Sequence, residues 1–310
     1  MSCSFKPCWF LAWCMFATTF QVQTVWAQMN VVTTTEDIAS LVQVVGGEWV
    51  NVKSLSRGYQ DTHFIQAKPS LMVTLHKADL LIYQGMELEV GWLPLLIRGA
   101  RNPKVFLGQP GNLDLSLSID PIEVPQGTLD RSMGDVHIFG NPHYNLGPSN
   151  IKSMLFMIAD HLSELDPAHE MQFKSNRNTF FKKFKTRLIE WKQRMAPFKG
   201  EKVVTFHRTW SYLLREFGMH YIGTLEPVPG IQPSPAHLIR LSQLMKTKNV
   251  RLILQASYYR DKFAKLLADK TGARVLALPP GVGGVPEAND TIRLFDYLVD
   301  KITKELSENE

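Results

Sequence analysis

The chain has 310 residues, 45% of them hydrophobic and 20% charged, a globular composition that excludes a disordered chain and suits two domains of ordinary size. Its formal net charge is +5, with Lys and Arg interspersed among Asp and Glu. No long basic run interleaved with aromatics occurs, so a nucleic-acid partner is excluded.

The first residues differ in kind from the rest. Lys6 is the only charge before Gln28, an apolar run extends from Cys8 to Phe20, and Val25-Trp26-Ala27 follows. This order predicts a secretory signal over residues 1–27, cleaved after Ala27. The apolar run is shorter than the ~20 residues of a spanning helix, and the bulky Trp13 argues against lipoprotein processing at Cys14. Cys3, Cys8 and Cys14 all lie inside this segment. The mature chain is then an exported protein without thiols, stabilised by the core of its ~280 residues alone. Any metal site in it must be built from His and carboxylate. No later segment is long and apolar enough to cross a bilayer.

Residues 29–35 read as a strand, 36–45 as a helix ended by Gly46-Gly47, and 50–55 as a second strand. A helix over 70–77 starts at Pro69, where a missing amide proton does no harm. A buried strand over 78–83, a helix over 89–98 and a short strand over 104–107 follow. From 114 to 148 the pattern lapses into a loop rich in Pro, Gly and Asp, and helical spacing resumes over 149–165. The charged segment 167–195 carries Phe173, Phe180, Phe181, Phe184, Leu188 and Trp191 at steps that form one apolar stripe. A helix of that length exceeds ~40 Å and reads as a rigid strut between two lobes.

After Pro197 and Gly200 the alternation begins again. Strands are predicted over 202–206, 220–225, 250–254 and 274–278, and helices over 210–217, 234–248, 260–270 and 290–305. The fold class is therefore α/β: two lobes, residues 28–165 and 199–310, with mostly parallel helix-covered sheets joined by a helical strut over 166–198. Ligands of such sheets sit beyond the carboxyl ends of the strands, here in the interlobe cleft.

Nine histidines occur. His63 lies just beyond the strand ending at Leu55, His143 in the stiff loop GNPHYNLGP, and His207 where the strand KVVTF ends. All three fall on lobe edges that face one cleft. Three imidazoles suit a borderline cation such as Zn(II), with carboxylate, amide or water completing a tetrahedron. His137, six residues before His143 on the same loop, stays a candidate for early capture or an auxiliary role. His76, His161, His169, His220 and His237 read as packed or solvated. No GxSxG, GxxxxGK[ST] or HExxH occurs, and Gly281-Val-Gly-Gly284, preceded by two prolines, reads as a turn before the last helix.

These motifs resemble the periplasmic metal-binding proteins of zinc and manganese ABC transporters, the cluster A-I solute-binding proteins, over nearly the whole mature chain. The resemblance rests on DTHFIQAKPS (61–70), KADLLIYQGMELE (77–89), GNPHYNLGP (140–148), VVTFHRTWSYLLREFG (203–218) and EPVPGIQPSPAHL (226–238). GVGG (281–284) and LFDYLV (294–299) add to it. It implies two α/β lobes joined by one long helix, a metal in the cleft, and ligands at His63, His143 and His207. The chain departs from the family pattern at Asn145 and Gly147, where relatives carry Trp and Asp. It departs again at Leu278-Pro279-Pro280, where many members supply an aspartate as fourth ligand. A water, Gln255, Glu226 and Asp61 are candidates for that fourth position, with His137 auxiliary.

Three neutral histidines with at most one carboxylate favour Zn(II) over Mn(II), which prefers harder oxygen donors. The expectation is a secreted, periplasmic, monomeric receptor that binds zinc and hands it to the membrane permease of a metal ABC transporter. Mn(II) or another divalent ion is the alternative cargo. A three-His hydrolase with Asp61 or Glu226 as base is a more distant rival, because no substrate-pocket signature accompanies those residues. An adhesin is another, but no separate adhesive module is present.

Overall fold

A computed structural model describes residues 1–2, 28–126 and 137–308. Residues 3–27, which carry the expected signal, lie outside the described part. Strand β1 (Met29–Thr33) has neighbours on both sides, β2 (Val50–Ser54) and β3 (Leu80–Tyr83). With β4 (Asn112–Asp114) they form a parallel sheet in the order β2-β1-β3-β4. The second half repeats the pattern: β5 (Lys202–Thr205) lies between β6 (His220–Thr224) and β7 (Leu252–Ala256), with β8 (Arg274–Leu278) outermost, again parallel throughout. In both sheets the chain switches direction beside the first strand, so the connections leaving neighbouring carboxyl ends diverge and open a crevice there.

The helices in chain order are α1 (Glu36–Gly46), α2 (Pro69–His76), α3 (Leu93–Ala100), α4 (Ile151–Leu165), α5 (Glu170–Met195), α6 (Ser211–Glu216), α7 (Pro235–Lys248), α8 (Lys262–Thr271) and α9 (Thr291–Ser307). Their starts are written in the sequence. Thr35, Ser234 and Asp290 cap α1, α7 and α9 by accepting from Ile38, His237 and Arg293 amides, which satisfies donors the first turn cannot.

Helix α5, 26 residues long, is the predicted strut, and its stripe is buried unevenly. Phe173, Phe184, Trp191 and Met195 are fully enclosed, whereas Phe180, Phe181 and Leu188 are half-buried. The stripe meets α1 and α4 of the first lobe and α9 of the second, so a single apolar cluster runs through both lobes. Each sheet's other face has a separate core, around Leu81, Trp92 and Leu96 in the first lobe and Val204, Ile253 and Leu267 in the second.

Two elements differ from expectation. The run 104–107 is not a strand: Pro103–Val105 forms a short 3-10 turn capped by Asn102, and Val105 drops into the core beside α2 and α3. The outer strand is instead Asn112–Asp114, three residues that pair with β3, too few to show alternation. The helix expected over 89–98 starts only at Leu93. Glu89 turns inward to accept the amides of Gln84 and Gly85, which holds the preceding residues in turns with positive φ at Met86 and Glu87.

The turn at Gly281–Gly284 has a role its sequence did not announce, because it touches the opposite lobe. The Val282 amide donates to Asp37 at the start of α1 at 3.2 Å. A Cβ built on Gly58 would lie 1.9 Å from the Val282 carbonyl oxygen and 2.5 Å from the Gly284 nitrogen. Both are backbone atoms and cannot swing aside. Gly58→Ala is therefore expected to cost about 1–3 kcal/mol, read as a lower urea midpoint with an unchanged slope; an unshifted midpoint would show that the lobes do not meet here.

Candidate metal centre

His63 and His207 follow strands, His143 sits in a loop well beyond β4, and each is oriented by a neighbour. His63 lies in a 3-10 turn beyond β2, capped by Asp61, whose Oδ1 accepts both the His63 amide at 3.1 Å and its Nδ1 at 2.7 Å. His207 follows β5, and its Nδ1 lies 2.8 Å from Glu226 Oε2, just past the end of β6. A proton held on each Nδ1 leaves each Nε2 with its lone pair facing the cleft, the tautomer a metal ligand needs.

His143 is held from the backbone. Its amide donates to Asn141 Oδ1 at 2.9 Å, and Asn141 Nδ2 donates to Glu123 and, across the cleft, to the Arg208 carbonyl at 2.8 Å. Gln84, at the end of β3, donates to the Pro142 carbonyl at 2.8 Å and accepts at its own carbonyl from the Tyr144 hydroxyl at 2.5 Å. Gly140, at φ +109°, brings the loop within 2.9 Å of the Ile122 carbonyl at the point where a Cβ would stand. Only glycine fits there without strain.

These supports bring the three rings together. The centroids of His63, His143 and His207 are 5.2, 5.5 and 5.3 Å apart, and one ligand-type atom from each falls within 4.8 Å of the others. His143 Nε2 is buried without a hydrogen-bond partner. A buried nitrogen left unpaired costs free energy unless something coordinates it. Three convergent imidazole nitrogens, backed by two carboxylates, fit a divalent cation of borderline hardness.

The electrostatics agree. Burial pushes the Asp61 carboxyl up, but its hydrogen bond with His63 and the ring's charge outweigh this and hold it below the usual range. Burial, then repulsion from His63 and His207, keeps His143 far below the usual histidine value and His137 down at about 3. Both rings stay neutral where an ordinary histidine takes a proton. In metal-free protein at about pH 5.5 their imidazole nitrogen shifts are expected to report neutral rings. A titration midpoint near 6.5 for either would contradict the burial.

The remaining candidates are placed as follows. Asp61 and Glu226 stand behind His63 and His207, each engaged with an Nδ1. Gln255 is buried near the end of β7, at 2% exposure, and lines neither cavity beside the histidines. His137 is drawn to the cluster, with its Nε2 3.4 Å from that of His63. His76, His161 and His237 bond backbone carbonyls, His169 stacks on Trp49, and His220 is exposed. Two cavities of about 450 Å³ each reach the cluster, one past Glu123, His137 and Arg208, the other past Phe64, Tyr258 and Tyr259.

Asp37, Gln84 and Glu89 were not singled out from the sequence, and Asn145 stood out there only as a departure from the family pattern. Asn145 accepts from Gln84 and donates to Asp37 and, across the cleft, to the Pro280 carbonyl. Burial raises Asp37 to about 6 and Glu89 to about 7. The one local signal was a polar residue, Gln84, directly after the apolar strand Leu80–Tyr83.

Comparison with known proteins gives a consistent result. The family model described as "Zinc-uptake complex component A periplasmic" matches residues 31–305. The iron-binding protein YfeA of Yersinia pestis is 25% identical over 286 residues, covering 89% of this chain and 86% of YfeA. The zinc-binding lipoprotein AdcA of Streptococcus pneumoniae is 22% identical over 254 residues, 82% of this chain but only half of AdcA. The crystal structure of ZnuA superposes with a TM-score of 0.76 at 24% identity, covering 90% of this chain and 99% of that one. That likeness establishes the two-lobed fold.

Proposed function

Since the chain belongs to the family of periplasmic zinc-uptake complex component A, a family of metal-binding transport components and not of enzymes, we propose that it captures Zn(II) through His63, His143 and His207 and delivers it to the permease of an ABC transporter. The observation that carries this reading is the buried, unpartnered Nε2 of His143 facing two further imidazoles whose other nitrogens are held by carboxylates. All of these groups come from one chain, so a monomer suffices. Residues 1–27 are assigned to export, and among the described residues no helix is long and apolar enough to cross a membrane.

The ion is cargo, and the chain's task is to bind it and release it. Asp61 and Glu226 increase the basicity of the rings they touch and balance the charge of a divalent ion. Arg208 and the Val282 turn bring the second lobe against the first, so relative movement of the lobes alters how well His207 meets His63 and His143. Asp61 and Glu226 each hold a ring Nδ1, the arrangement of carboxylates that support metal-ligating histidines, which supports binding over hydrolysis.

Relatives named for iron and for zinc both match, so the choice of metal rests on the donors. Imidazole nitrogen suits zinc, and manganese favours oxygen. Chelator-competition titration is expected to place Zn(II) at least ~100-fold tighter than Mn(II). Equal or tighter Mn(II) binding would overturn the zinc reading.

A further inference from the structure

We infer that Asp37 is a positioning residue of the metal site: it holds the turn 281–284 of the second lobe against the first, so that His207 stands opposite His63 and His143 before an ion arrives. This rests on the function proposed above, in which those three rings hold the cargo.

The start of α1 is where the segments that carry the three rings meet. Glu36 accepts the Gly58 amide at 2.7 Å and pairs with Arg57, which ties down the loop that runs on to His63. Asp37 is buried, and its Oδ1 accepts from Asn145 Nδ2 and from the Val282 amide, each at 3.2 Å. Asn145 stands two residues after His143, and its own oxygen accepts from Gln84, which also donates to the Pro142 carbonyl. The turn that carries Val282 follows β8, which pairs with β7, and β7 pairs with β5, the strand that ends just before His207. Two adjacent carboxylates of α1 thus reach all three ligand-bearing segments.

The second lobe lies directly against them. A Cβ on Gly281 would stand 2.3 Å from Asp37 Oδ2, and one on Gly283 would stand 2.2 Å from Glu36 Oε2. Asn145 Nδ2 also reaches the Pro280 carbonyl at 3.4 Å, and three residues further along α1 the Ser40 hydroxyl meets that of Thr291 at 3.0 Å. Asp37, Asn145 and Gly281 share the wall of one small cavity with His63 and His143, so this seam runs beside the rings. Leu278-Pro279-Pro280 offers an ion no side-chain donor, so the end of β8 is held by the first lobe and not by the metal. Burying a carboxylate costs free energy unless donors reach it, and removing it leaves those donors unpaired. Loss of Asp37 therefore frees the second lobe to part from the first. That shortens the time His207 stays on the ion more than it slows the ion's arrival.

Stopped-flow release of zinc into excess chromophoric chelator tests the assignment. Asp37→Ala is expected to release zinc ~10–100-fold faster than the wild type, with the capture rate changed by less than ~3-fold. Asp37→Asn, which keeps an acceptor oxygen for Val282 and Asn145, is expected to restore release to near the wild-type rate. Gly281→Ala crowds the same seam from the second lobe and is expected to quicken release as Asp37→Ala does; circular dichroism checks that each variant is folded. Small-angle X-ray scattering supplies a readout without metal. The wild type is expected to be equally compact with and without zinc, whereas metal-free Asp37→Ala expands and contracts again on binding zinc. Wild-type release from both Asp37→Ala and Gly281→Ala, release from Asp37→Asn as fast as from Asp37→Ala, or a wild type that expands on losing zinc would overturn the inference and leave the three-histidine receptor standing. A wild type that binds no zinc would bring down the receptor reading and the role of Asp37 with it.

Discussion

His143→Ala is expected to lower zinc affinity by at least ~100-fold, more than the ~10–100-fold that follows loss of a supporting residue around a metal ligand. The ring is buried, its Nε2 has no protein partner, and its loop is fixed from Asn141, Gln84 and Asn150 through bonds to the loop backbone that alanine preserves. Loss of the imidazole therefore removes a ligand without releasing the loop. In the metal-free state the substitution leaves a small void but also removes an unpaired buried nitrogen, so the unfolding midpoint is expected to move little. Competition titration with a chromophoric chelator separates the two effects. Zinc binding like that of the wild type would mean that His143 is not a ligand.

Trp191→Ala is expected to have the largest effect on stability, about 3–5 kcal/mol. Trp191 is fully buried and sits between Phe184 and Phe295, each at a ring-centroid distance of 5.3 Å. Its indole N–H donates to Asp296 at 2.7 Å, and Asp296 also pairs with Arg187. Phe184 and Trp191 belong to the strut while Phe295 and Asp296 belong to α9, so the indole couples the strut to the second lobe. Removing it opens a cavity in the one cluster that runs through both lobes. Urea unfolding followed by intrinsic fluorescence and circular dichroism is expected to show a lower midpoint, with the second lobe unfolding first. A loss below about 1 kcal/mol would place the coupling elsewhere.

The repeated βα pattern was legible in the sequence because each strand is a short apolar run followed by a helix with a readable start, as at Ser234-Pro235. The failures have local causes. Strand β4 has three residues, which carry no period. Helix α3 starts late because Glu89 folds back onto Gln84 and Gly85, a contact no propensity encodes. His63 and His207 could be grouped in advance because each lies beyond a strand, and parallel sheets gather such ends, while His143 joined them through its stiff loop at the edge of the first lobe. The roles of Asp61 and Glu226 could not be fixed, since a carboxylate two residues from one histidine and nineteen from another can face the cleft or support a ring. The contact of Gly58 with Val282 and the link from Asn145 to Asp37 span separations that leave no trace in local composition.

Anomalous diffraction at the zinc edge from crystals of the zinc-loaded protein tests the central claim most directly. The expected result is a single strong peak in the interlobe cleft, within bonding distance of the Nε2 atoms of His63, His143 and His207. Zinc bound only at surface residues, with no peak among those three rings, would contradict it.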